Sequence, residues 1–192
     1  MRRKLFIQMS GAPGSGKSTI ARLLADSLDA IVINHDLIKS FFLENLPDST
    51  FDQSAKLTYG LQWTLAEDWM KQTRPVIIDS ICNYKETLDR GTLLAKQYGY
   101  EYKYIECKVD DIDVLDQRLR SRASVRSQRR GVADPALDAT NANMSSEDYR
   151  AQYINWMDNP YRPAHSSIAI LVDSSHEPHQ CLEELLKVLI ES

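Results

Sequence analysis

Short apolar runs alternate with longer stretches of helical period along the whole chain. Five runs read as strands: Lys4–Ser10, Ile31–Asn34, Pro75–Ser80, Tyr100–Lys108 and Ile168–Asp173. Seven stretches read as helices: Gly16–Leu28, Asp36–Leu43, Asp52–Lys71, Lys85–Tyr98, Asp110–Arg122, Ser145–Met157 and His176–Ile190. Strand–helix alternation of this kind predicts βαβ units, and so a three-layer α/β/α protein with a parallel sheet between helices. Val76-Ile77-Ile78 and Ile168–Val172 are apolar without interruption, the pattern of strands buried on both faces.

Local signals set the boundaries. Asp52 is placed to cap the helix that carries Leu57, Leu61, Leu65 and Trp69 at every fourth position. Gly99 stands where a helix-ending glycine is expected. Leu182, Leu185, Leu186 and Leu189 form a core-facing stripe on the last helix. No repeat or linker divides the chain, so residues 1–192 are expected to form one domain. The least regular stretch, Ser127–Ser146, is rich in Ala, Asn, Asp and Ser and predicts a mobile excursion with some helix.

Composition narrows the class. The chain has 192 residues, 43% apolar and 26% charged, an ordinary globular balance. A chain of this length buries a core without disulfides or a metal. No apolar run approaches the roughly 20 residues of a membrane span, so no membrane partner is expected. Cys82, Cys107 and Cys181 are scattered and odd in number, which suits a reduced, cytoplasmic protein. His176, His179 and Cys181 sit together but read as the hydrated opening of the last helix, with no zinc assigned. A net charge of −4 argues against a general nucleic-acid coat.

The strongest motif is Gly11-Ala12-Pro13-Gly14-Ser15-Gly16-Lys17-Ser18-Thr19, a full GxxxxGK[ST] pattern between a strand and a helix. Glycines let successive main-chain N–H groups point at one phosphate, and the helix start adds its positive end. Lys17 suits the β- and γ-phosphates of ATP, and the Ser18 hydroxyl suits Mg²⁺.

Two carboxylates follow. Asp79 ends the apolar run of the third strand, at the sheet edge where open α/β folds bind ligands. It suits a role near Mg²⁺ or at an acceptor hydroxyl, or else caps the helix after Ser80. Asp36 follows the second strand at the same edge, as a base or positioning group for an acceptor, or as a plain N-cap. Residues 118–130 then hold six arginines and no acid, so a net −4 chain carries −10 elsewhere. On a helix, Arg118, Arg122 and Arg126 would share one face. Such a segment, about 118–146, predicts a lid that closes on ATP, with a solvated basic face as the alternative. Phe41, Phe42, Tyr59 and Trp63 are candidates either for stacking on an acceptor or for plain core.

The cradle, Asp36, Asp79-Ser80-Ile81-Cys82-Asn83 and the basic segment from Arg118, in that order, resemble the P-loop kinase superfamily. The likeness is greatest to the group of polynucleotide 5′-hydroxyl kinases, zeta-toxin-like kinases and chloramphenicol phosphotransferase. The resemblance implies a five-stranded parallel sheet in the order 2-3-1-4-5, Mg-ATP as donor and a hydroxyl as acceptor. Lys17, Asp36, Arg122 and Arg126 would be catalytic. Gly11 to Thr19, Arg118 and Arg122 would bind ATP, and Ser18 and Asp79 would hold Mg²⁺. Polynucleotide kinases carry an arginine three residues after the acceptor aspartate. Here that position is Lys39, which keeps the charge without the bidentate fork, so a nucleic-acid acceptor is not favoured. The alternative reading is an ATP-binding switch with no acceptor, which has no need of Asp36.

Overall fold

The computed structural model describes residues 3–82, 84–139, 141, 143–164 and 169–191. Asn83 of the motif above, Ile168 of the last strand, and Thr140 and Ala142 of the irregular stretch lie outside them. The elements in chain order are β1 (Leu5–Ser10), α1 (Lys17–Leu28), β2 (Ile31–Asn34), α2 (His35–Asn45), α3 (Phe51–Lys71), β3 (Val76–Asp79), α4 (Lys85–Tyr98), β4 (Glu101–Lys108), α5 (Ile112–Ser121), α6 (Ser146–Asp158), β5 (Ala169–Asp173) and α7 (Pro178–Glu191). The strands form one sheet in the order β2-β3-β1-β4-β5, as the resemblance implied. Every pairing is parallel.

The two-residue period of β1 divides the core. Leu5, Ile7 and Met9 face α1 and α7, where they meet Ile20, Leu24, Leu185 and Leu189. Phe6 faces the other side and packs with Ala66, Met70, Leu94 and Ala95. Each aliphatic side chain buried this completely contributes roughly 1.5–3 kcal/mol. Of the two uninterrupted apolar runs, β3 is buried at every position. β5 is not: it lies at the sheet edge, and its Leu171 is 54% exposed.

Three local expectations are corrected. The cap of α3 is Thr50, whose hydroxyl accepts from the Gln53 amide in a capping box, so Asp52 lies inside the first turn. The buried stripe of α3 is Ser54, Thr58, Gln62, Ala66 and Met70, while Leu57 and Leu61 are exposed. Finally, α5 starts behind its cap Asp111 and stops at Ser121, because its buried stripe ends with Leu115 and Leu119. Arg122 is already extended, so Arg118, Arg122 and Arg126 share no helix face. Downstream lie turns and one 3-10 turn, Leu137–Ala139, before Ser145 caps α6. Gly99 ends α4 in the left-handed conformation, as expected. Cys82, Cys107 and Cys181 are free, buried thiols. Among the described residues, no helix is long and apolar enough to cross a membrane.

Candidate active site

The loop from Gly11 to Gly16 joins the central strand β1 to α1. Gly11 has φ of 122°, and a Cβ there would lie 2.2 Å from the Cys107 carbonyl oxygen on β4. Only glycine lets the loop pass so close to β4. Gly14, with φ of 87°, abuts Leu115 and Leu119 of α5. The loop closes on itself through the Ser15 amide, 3.1 Å from the Ala12 carbonyl. It is also held from α6, where the Tyr153 hydroxyl donates to the Pro13 carbonyl at 2.5 Å. Lys17 opens α1, and its Nζ donates to the Gly11 and Ala12 carbonyls, both at 2.8 Å. Burial pushes this ammonium below the usual lysine range, against the pull of the Asp79 carboxylate.

Asp79 ends β3 beside this lysine. The parallel register sets Asn34 of β2 opposite it, and Asn34 Nδ2 donates to Asp79 Oδ2 at 2.6 Å. Burial raises the Asp79 carboxyl, while a hydrogen bond from Ser18 and the Lys17 charge lower it. The other side of the Asn34 amide caps α2, accepting from the Leu37 amide at 2.9 Å. Asp36 is therefore not the N-cap. Nor does Asp79 cap α4, which starts behind Tyr84 without a side-chain cap.

Instead, Asp36 Oδ2 accepts from Gln128 Nε2 at 2.8 Å. Its charge reaches Lys17, His35, Lys39 and Arg122. His35 is buried, 4.5 Å ring to ring from Tyr59, with Nδ1 at 3.1 Å from Gln62 Oε1. Burial holds this imidazole below its ordinary range, so it stays neutral. Lys39 Nζ lies 3.2 Å over the Phe51 ring, between the charges of Asp36 and Asp52, and burial pushes it down to about 8.

The arginines separate into two sets. Arg118 donates to the Ser174 carbonyl at 3.0 Å and Arg122 to the Arg129 carbonyl at 3.1 Å, and both line the cleft. Arg126 is not in the cleft wall: it holds Asp138 with two bonds, at 2.7 and 2.9 Å. Arg120 pairs with Asp116 and Asp134. Arg129 is buried, bonded to the Val132 and Tyr149 carbonyls. The anions that relieve this basic run are partly the chain's own.

One cleft of about 1230 Å³ runs past the cradle, Asp36, Asp79, Arg118 and Arg122. Of the four candidate stacking aromatics, Tyr59 lines it, Phe41 is 60% exposed and Trp63, on α3, is partly buried against the core. Sequence reasoning left Asn34, His35 and Gln128 without a role. Asn34 was findable, because it aligns with Asp79 in adjacent parallel strands. Nothing in the sequence singles out Gln128.

A parallel sheet in this order, with the cradle between β1 and α1, defines the fold of the P-loop kinase superfamily. The chain belongs to the AAA domain family AAA_33, which it matches over residues 6–147. It is similar to the adenylate kinase of Chlamydia muridarum (strain MoPn / Nigg), 29% identical over 143 residues. That match covers 63% of this chain and 56% of the relative, so the chain spans little more than half of the relative's length. A gluconokinase from Sinorhizobium meliloti 1021 shares the fold at 15% identity, with a TM-score of 0.61 over 100% of this chain and 94% of that one. An APS kinase from Mycobacterium tuberculosis, in complex with AMPPNP and APS, does so at 18% identity, with a TM-score of 0.63 and 100% of both chains covered.

Proposed function

We propose that the chain is a magnesium-dependent kinase that moves the γ-phosphoryl group of ATP to a hydroxyl of a small molecule, a nucleoside or a polynucleotide 5′ end. One observation carries this reading. Asp36 is an aspartate that caps no helix and shares a cleft with the cradle lysine. A nucleotide switch has no use for such a carboxylate. Lys39 is buried over the Phe51 ring and within the field of the Asp36 and Asp52 carboxylates, which leaves little free positive charge for a nucleic-acid backbone.

The loop amides and the start of α1 would bind the triphosphate. Lys17 would exchange its two carbonyl partners for phosphate oxygens. The Ser18 hydroxyl and the Asp79 carboxylate, which line the same cleft, are the hard oxygen donors that Mg²⁺ prefers. Held by these two side chains, magnesium would supply positive charge against the phosphate oxygens. Asp36 takes the acceptor's hydroxyl proton as that oxygen bonds to the γ-phosphorus. The bond from phosphorus to the β–γ bridging oxygen breaks, its electron pair leaves with ADP, and the proton passes from Asp36 to solvent. Arg122, within the field of Asp36, faces the transferring charge.

The test is transfer of label from γ-labelled ATP to a panel of 5′-hydroxyl oligonucleotides, nucleosides, sugars and hydroxylated antibiotics. Label on a hydroxyl acceptor is the expected result. Release to water alone, unchanged by every acceptor and unchanged in Asp36→Asn, favours the switch.

A further inference from the structure

The carboxylate of Asp36 is held by a residue 92 positions away in sequence. Gln128 Nε2 donates to Oδ2 at 2.8 Å, and Gln128 Oε1 accepts from the Val125 amide at 3.3 Å. The backbone N–H of Val125 can only donate, so the Gln128 oxygen must face it and its nitrogen must face Asp36. The amide is thus pinned at both ends.

Its backbone is pinned as well. The Ser127 hydroxyl donates to the Asp36 carbonyl at 2.9 Å, and the Ser127 amide donates to Ser40 Oγ at 3.0 Å. Both serines are buried. These bonds seat the basic segment on the first turns of α2. The same segment carries Arg122, bonded to the carbonyl next to Gln128 in sequence. One short stretch of chain therefore joins an arginine of the phosphate side to the carboxylate of the acceptor side.

We propose that Gln128 is a positioning residue for Asp36: by occupying Oδ2 it turns Oδ1 to the acceptor hydroxyl whenever the basic segment is seated on α2. The inference deepens the kinase reading and rests on it. Among the described residues no donor is hydrogen-bonded to Oδ1, so that oxygen is available for the hydroxyl. The residue type suits the task. A lysine would neutralise Asp36 and weaken it as a base, and a carboxylate would repel it. An amide fixes the direction and leaves the charge in place.

The experiment compares the wild-type chain with Gln128→Leu and Gln128→Glu. Affinity for Mg²⁺ with a non-hydrolysable ATP analogue is read by calorimetry, and turnover by loss of label from γ-labelled ATP to acceptor or water, across pH. Gln128→Leu should keep analogue affinity within about threefold and lose roughly 10-fold to 10²-fold in turnover, the scale of a misaligned reacting group. Gln128→Glu is the discriminating variant. Protonated, it has the same shape and donates as glutamine does; ionised, it repels Asp36. Its turnover relative to the wild type should therefore recover as pH falls and decline as pH rises. Lys17, Lys39 and Arg122, whose charges also meet Asp36, and the titratable His35 beside it are common to all three proteins, so the ratio isolates the new pair.

Wild-type turnover in Gln128→Leu overturns the assignment. So does a Gln128→Glu ratio that is flat with pH, or a loss confined to nucleotide affinity. A wild-type chain that binds no analogue or moves no label sinks the kinase reading itself, and this role with it.

Discussion

The phosphate cradle and the arginine-rich segment face one cleft, but different kinds of information build them. The cradle is local. Nine consecutive residues set its backbone, its lysine and its hydroxyl; Gly11 and Gly14 are needed because neighbouring backbone passes close by, and all three glycines because φ is positive. The arginine segment is settled at long range. Which guanidinium faces the cleft depends on where acids and carbonyls happen to lie. Asp138, 12 positions downstream, takes Arg126, and the Ser174 carbonyl, 56 positions away, holds Arg118. A contiguous motif can be read as chemistry. A run of like charges shows that anions are needed without showing which charges stay free to meet a ligand.

The largest expected effect breaks the cradle. Gly11→Ala puts a methyl group onto the Cys107 carbonyl and demands a φ that alanine rarely adopts. We expect a loss of at least about 3 kcal/mol in stability and no measurable binding of Mg²⁺ with an ATP analogue. Retained binding in calorimetry would remove the loop from the nucleotide site. Next, Asp36→Asn should keep analogue affinity and lose at least about 10²-fold in turnover. Equal turnover rejects the base.

The arginines sharpen the comparison directly. Arg122→Ala should lower turnover about 10-fold or more, whereas Arg126→Ala should stay within about threefold. Its pair with Asp138 is partly exposed, so its loss should cost no more than about 1 kcal/mol in a denaturant melt. Matching losses for the two variants would undo the separation into two sets.

The smallest effect is a pH slope. Burial lowers the His35 pKa in the folded chain, so below about 6.5 the unfolded chain binds a proton that the folded one refuses. That contribution to stability is present above 6.5 and fades as pH falls toward the depressed value. In melts from pH 7 to 5, His35→Asn should flatten the decline; an unchanged slope assigns acid sensitivity elsewhere.

Most of the fold was legible because strand and helix periods are local, and β1, β2 and β3 sit where the apolar runs put them. Errors arose wherever burial depended on partners. Ser54, Thr58 and Gln62 are buried because α3 lies over α2 and the cleft floor, which no helix pattern announces. Leu171 is exposed because β5 ends up at an edge. At the site, the cradle and both aspartates came from sequence. Asn34 and Gln128 did not, since each matters only through the carboxylate it touches.

The Tyr153 bond to Pro13 has a consequence for biosynthesis. The loop that starts at residue 11 is walled by Cys107, buttressed by Leu119 and tied by a tyrosine 140 residues downstream. During translation, the loop thus leaves the ribosome long before the tyrosine that ties it has been made. A nascent chain stalled before α6 should not retain nucleotide, even though every residue of the motif has already been made.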